Sequence, residues 1–272
     1  MRAEAIGVFD SGIGGLTVVA ALRRRLPDER IIYLGDTARL PYGTKSPATI
    51  RRYSLQNADF LLQRGIKLLV IACNTASAWA LAELRQASPV PAIDVVGPGC
   101  RRAAEVSRGG RIGVIGTDAT IRSEAYPKAI RALLPEAEVA SRSCPLFVPL
   151  VEEGWLEGPV TEQVVEVYLD DFRRSGIDCL VLGCTHYPLL KPAIGRFLGG
   201  GVELVDSAEA VAAEVERELR AADLLAGGSR RPDRFFLTDR SPTFRRAMAL
   251  FLGGEASGAE LVDINDAGEE NR

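Results

Sequence analysis

Three segments of this chain recur in the same order at nearly constant spacing. Ile112–Gly116 (IGVIG) echoes Ile6–Asp10 (IGVFD) 106 residues on, Gly176–Thr185 (GIDCLVLGCT) echoes Gly65–Asn74 (GIKLLVIACN) 111 residues on, and Val202–Asp206 (VELVD) echoes Ala92–Val96 (AIDVV) 110 residues on. One match alone could be chance, because buried strands resemble one another. Three in order imply two related units. The 272-residue length allows this, since single domains cluster at about 100–150 residues. Ile6–Phe9, Ile31–Leu34, Leu68–Ala72 and Ile93–Val96 are short, continuously apolar runs, the pattern of strands covered on both faces of a parallel sheet. Between them, Leu16–Leu26, Ala48–Arg64 and Ala76–Gln86 carry helical periodicity, with Pro47 in the first turn of the second helix and Ser46 as its cap.

The expected fold is therefore α/β: two pseudo-symmetric, doubly wound domains with mostly parallel sheets and an active site in the cleft between them. The first domain is expected to comprise residues 1–97 plus 207–265, and the second residues 98–206. After the second unit, Ala208–Leu225 reads as a helix, Arg234–Leu237 as a strand, Pro242–Leu252 as a helix and Leu261–Ile264 as a last short strand. This stretch is too small to be a domain, and it is predicted to return to the first sheet. Residues 266–272 are predicted to be a frayed tail.

Composition excludes several classes. The net charge of −3 supplies no basic field, so nucleic acid is not an expected partner. The longest apolar runs fall far short of the roughly 20 residues of a membrane helix, and Met1–Val8 has no signal-peptide pattern. A cytoplasmic protein with no membrane partner is expected. Cys73, Cys100, Cys144, Cys179 and Cys184 are odd in number and form no C-x-x-C pair, which suits reduced thiols rather than staples or a zinc ribbon. No metal is expected: a site would need more ligands than Cys73, Cys184 and the single histidine, His186, readily provide, although Asp10 could add one. Four lysines (Lys45, Lys67, Lys128 and Lys191) leave few candidates for holding pyridoxal phosphate.

Parallel sheets carry their sites at the carboxyl ends of the strands. Those positions hold Asp10–Ser11–Gly12, Asp36 leading to Tyr42–Gly43, Cys73–Asn74–Thr75, Thr117, and Cys184–Thr185–His186. A lone cysteine is usually a small buried hydrophobe, and Cys100, Cys144 and Cys179 keep that reading. Cys73 and Cys184 differ, because they end equivalent strands and precede small polar residues. If the two units face each other, the two thiols flank one cleft. One thiolate can then take a proton from a carbon while the other thiol delivers one to the opposite face, inverting the centre. Ser11, Asn74, Thr75 and Thr185 could bind a carboxylate and hold developing charge, and Asp10 and His186 could each assist one thiol. Gly12-x-Gly14 lacks the third glycine of a dinucleotide fingerprint, and Asp10 would oppose a pyrophosphate. Nicotinamide is therefore not expected. Neither a G-x-S-x-G elbow nor a phosphate loop occurs.

The segments FDSGIGG (Phe9–Gly15), LPYG (Leu40–Gly43), ACNTAS (Ala72–Ser77), CPLFVPLVEEG (Cys144–Gly154) and GCTHYPLL (Gly183–Leu190) closely resemble the glutamate racemases of the aspartate/glutamate racemase superfamily. The resemblance spans roughly residues 5–250. It implies cofactor-independent, two-base racemisation of L- and D-glutamate, with the D-isomer supplying peptidoglycan synthesis, in a homodimer. It assigns Cys73 to the D-enantiomer and Cys184 to the L-enantiomer. It places Asp10, Ser11, Tyr42, Gly43, Asn74, Thr75, Thr185 and His186 about the substrate, with Asp10, His186 and one of Glu152 and Glu153 as supporting acid/base groups; Glu153 is favoured. Aspartate racemases of the superfamily tend to carry Glu where this chain has His186, which favours glutamate. Aspartate, hydantoin or a malonate remain alternative substrates, and a non-catalytic amino-acid sensor is an alternative from a different class.

Overall fold

The computed structural model describes residues 4–227, 231–239, 252 and 258–264. In chain order, the first unit opens with β1 (Ala5–Asp10), α1 (Leu16–Arg25), β2 (Ile31–Gly35), α2 (Pro47–Leu62), β3 (Ile66–Ile71), α3 (Asn74–Ala87) and β4 (Ala92–Asp94). The chain then passes through α4 (Val96–Val106), β5 (Arg111–Gly116), α5 (Asp118–Arg122), α6 (Ala125–Leu133), β6 (Glu138–Ser143), α7 (Phe147–Glu152), α8 (Pro159–Ser175), β7 (Cys179–Gly183), α9 (Lys191–Leu198) and β8 (Glu203–Asp206). It ends with α10 (Ser207–Ala221), β9 (Arg234–Leu237) and β10 (Glu260–Leu261).

The repeat read in the sequence is visible in the topology. The first sheet runs β10-β9-β2-β1-β3-β4 and the second β6-β5-β7-β8, so β2-β1-β3-β4 and β6-β5-β7-β8 share one order. Every described pairing is parallel. Successive strand residues point to opposite faces, and both faces are buried. In the first sheet Ile6, Val8, Leu68 and Val70 enter one apolar cluster, while Phe9, Ile32, Leu69 and Ile71 enter a second on the other face. The first of these clusters continues into the second unit through Ile115, Leu180 and Leu182, and Ile112, Val114, Cys179 and Val181 pack a third.

Local chemistry sets the element ends. Ser46 Oγ accepts from Thr49 N–H with Pro47 in the first turn, so α2 starts where the sequence places it. The strand expected over Ile93–Val96 stops at Asp94. Asp94 Oδ2 accepts from the N–H groups of Val96 and Gly97 at 2.9 and 2.8 Å, which turns the chain into α4. β9 pairs onto β2, and β10 onto β9; β10 begins one residue before the strand expected over Leu261–Ile264. The helix expected over Pro242–Leu252 lies outside the described residues except for Leu252, and the tail 266–272 lies outside them entirely. No helix among the described residues is long and apolar enough to cross a membrane.

Candidate active site

A cleft at the carboxyl ends of both sheets encloses about 470 Å³, open solvent at its mouth included. Both strand-end thiols line it. So do Ser11, Tyr42, Gly43, Asn74, Thr75, Thr185 and His186 from the sequence reading. All five cysteines are free and buried, and Cys100, Cys144 and Cys179 are fully buried in apolar clusters.

The two half-sites are built differently. Cys73 is the N-cap of α3, and its Sγ accepts from Ala76 N–H at 3.4 Å and lies 3.4 Å from Ser11 Oγ. Burial first, and then the Asp10 carboxylate, push this thiol up to about 12, against the hydrogen bonds from Ser11 and Ala76. Cys184 lies 3.8 Å from His186 Nδ1. On the far side of the ring, Nε2 lies 3.4 Å from Glu152 Oε1. Burial opposes a charge on His186, but Cys184 and Glu152 outweigh it and push the imidazole up to about 10. The first thiol is thus held protonated, and the second stands beside a group able to carry its proton.

Three expectations change. The acid beside His186 is Glu152, which lines the cleft, whereas Glu153 is exposed. Neighbouring helical positions are about 100° apart, so α7 turns only one of the pair toward the site. Asp10 does not line the cleft. It is fully buried behind the wall, with Oδ2 accepting from Gly12 N–H at 3.1 Å. Burial raises its carboxyl, against the pull of His186 and of the Gly15, Gly12 and Ser11 N–H groups. Its charge still acts on the Cys73 thiol. Tyr42 lines the cleft, but its hydroxyl is engaged: it donates to Asp36 and accepts from Asn57 Nδ2 at 3.0 Å. Asp36 also holds Arg39 at 2.8 Å and Thr238 Oγ1 at 3.0 Å, so it is occupied as a loop anchor.

The structure adds residues to which the sequence reading gave no role in the site. Thr117 lines the cleft, and its Oγ1 closes a triangle with those of Thr75 (2.9 Å) and Thr120 (3.0 Å), the last pair also 3.0 Å apart. This triangle joins α3 of the first unit to α5 of the second. The signal for Thr117 was present: it occupies the place in the second repeat that Ser11 holds in the first. Gly14 is a point of close approach. A Cβ there would lie 2.3 Å from Thr185 Oγ1 and 2.6 Å from His186 Nδ1, so only glycine lets the β1–α1 loop reach the second half-site. Thr17 Oγ1, in the first turn of α1, donates to Thr185 O at 3.4 Å.

Known proteins share the fold and much of the sequence. The family model described as Asp/Glu/Hydantoin racemase matches residues 16–215. A glutamate racemase of Geobacter metallireducens is 55% identical over 262 residues, covering 96% of this chain and 97% of its own. Among solved structures, glutamate racemase from Francisella tularensis in complex with D-glutamate superposes with a TM-score of 0.92 at 41% identity, covering 97% of this chain and 99% of its own. The glutamate racemase isoform RacE1 of Bacillus anthracis gives 0.93 at 40% identity, covering 97% and 98%.

Proposed function

The chain belongs to the Asp/Glu/Hydantoin racemase family, and on that premise we propose that it interconverts L- and D-glutamate by proton transfer between Cα and two thiols. The observation that carries this reading is that Cys73 and Cys184 end equivalent strands of two sheets and line one cleft. Glutamate is taken as substrate because relatives at this identity are glutamate racemases, one of them solved with D-glutamate.

From the L-enantiomer, Cys184 as the thiolate, its charge balanced by the imidazolium of His186, takes the Cα proton. The Cα–H bond breaks, an S–H bond forms, and the electron pair stays on the substrate. Cys73, held protonated, then gives its S–H proton to the opposite face, and the D-enantiomer leaves. The reverse direction exchanges the two roles. Asn74, Thr75, Thr185 and Ser11 supply N–H and O–H donors around the carboxylates, where preorganised dipoles stabilise developing charge. Glu152 supports the imidazolium form of His186. Asp10 acts on Cys73 from behind the wall.

The same reading makes the enzyme cofactor-independent, a cytoplasmic homodimer, and a source of D-glutamate for peptidoglycan synthesis. Its domains are residues 1–97 with 207–265, and residues 98–206. In deuterated water, either glutamate enantiomer should exchange its α-proton while the optical rotation decays to zero. Absence of exchange would end the proposal. Cys73→Ala and Cys184→Ala should each abolish racemisation, and full activity in either would overturn the two-thiol assignment.

A further inference from the structure

We propose that Tyr126 is a positioning residue for the racemase reaction, acting through Asn74 and resting on the reading that Asn74 faces the substrate. Tyr126 belongs to α6 of the second unit and is fully buried outside the cleft lining. Its hydroxyl donates to Oδ1 of Asn74, the residue that follows Cys73 in the first unit. That bond uses the acceptor end of the Asn74 amide and leaves the two N–H donors of Nδ2 for the cleft, which Asn74 lines. An amide without such an anchor can present either end. A carbonyl turned toward a carboxylate would repel the substrate.

The same side chain also meets the other half-site. Gly183 precedes Cys184, and a Cβ on it would lie 3.1 Å from Tyr126 Cε2. The phenol ring therefore packs directly under the strand end that presents the second thiol. The hydroxyl is also 3.4 Å from Ser207 Oγ, at the point where the chain leaves the second sheet. Gly99, in the helix where the chain enters that unit, approaches the same spot: its Cβ would lie 2.9 Å from Ser207 Oγ. One phenol thus touches a neighbour of each thiol and the return crossing between units.

The test is a double-mutant cycle on the full-length enzyme with glutamate as substrate. Tyr126→Phe keeps the ring under Gly183 and removes only the hydroxyl. It should lower kcat/KM by about tenfold, the size of one lost hydrogen bond, and mainly by raising KM. Asn74→Ala should lower it at least as far. The double variant should match Asn74→Ala within about twofold, because a hydroxyl with nothing to orient has no further effect. A Tyr126→Phe enzyme within about twofold of the wild type, or losses that multiply in the double variant, would overturn the proposal. So would a Tyr126→Phe chain that fails to fold, since its role would then be structural. If Asn74→Ala is itself silent, the placement of Asn74 at the substrate fails and the inference falls with it. If only Tyr126→Phe is silent, the site reading stands and this inference alone fails.

Discussion

His186 Nδ1 lies 3.8 Å from Cys184 Sγ, while its Nε2 lies 3.4 Å from Glu152 Oε1. The ring therefore links a thiol to a carboxylate. With the imidazole raised from 6.5 to about 10, the charged form persists across neutral pH. Its contribution to stability is fully present below about pH 6.5 and is lost as pH rises through about 10. The alkaline limb of kcat/KM should follow the same group. Glu152→Gln removes one of the two partners holding the imidazole up, so that limb should move to lower pH. Glu153→Gln should leave it in place. A limb that moves with Glu153 and not with Glu152 would contradict the geometry.

Cys73 is held up to about 12. In the substrate-free enzyme at pH 8, the thiolate fraction is on the order of one in ten thousand. Iodoacetamide should label Cys73 far more slowly than an ordinary thiol, with a rate that rises as pH rises. Asp10→Asn removes the second of the two causes, so labelling should speed up. Peptide mapping of the modified protein reads both results, and prompt labelling of Cys73 at neutral pH would refute the assignment.

Gly14→Ala should impair catalysis as well as folding. The added methyl collides with Thr185 Oγ1 and His186 Nδ1, so accommodation has to move the ring beside Cys184. Overpacking of this kind costs about 1–3 kcal/mol, measurable by urea unfolding. The fall in kcat should exceed about tenfold, since small misplacements of reacting groups are expensive. Unchanged kcat would show that the contact does not set the ring's position.

Lys67 Nζ and Glu29 Oε2 form a buried ion pair at 2.6 Å, away from the cleft lining. Lys67 also donates to Leu224 O, and Glu29 Oε1 accepts from Ala226 N–H, each at 2.7 Å, which ties down the segment after α10. Lys67→Met leaves a buried carboxylate without this partner and should destabilise by about 3–5 kcal/mol. Replacing both residues with apolar ones should recover much of that loss. Racemisation per folded molecule should be unchanged throughout.

The repeat made the two sheets and both thiols legible, because buried parallel strands advertise themselves as continuous apolar runs. β6 escaped notice: it is an edge strand reading EVASRS, never fully buried, without such a run. Asp10 was legible as important but not as hidden, since the strand end fixes its position along the chain and not its depth. The choice between Glu152 and Glu153 needed the rotation of α7, which a short helix without clear periodicity does not declare. Tyr126 was out of reach for another reason. Its meaning comes from partners 52 and 81 residues away, and nothing local in AYPKAI distinguishes it from core.

Under the proposed function, the acid and the base ride on different sheets. Cys73 belongs to the first and Cys184 to the second, and the hydroxyls of Thr75 and Thr117 meet across the gap. Any widening of the cleft pulls the proton carriers apart and breaks that contact, at little expense because water can replace a hydroxyl partner. Both thiols can therefore serve one Cα only while the two halves keep this spacing.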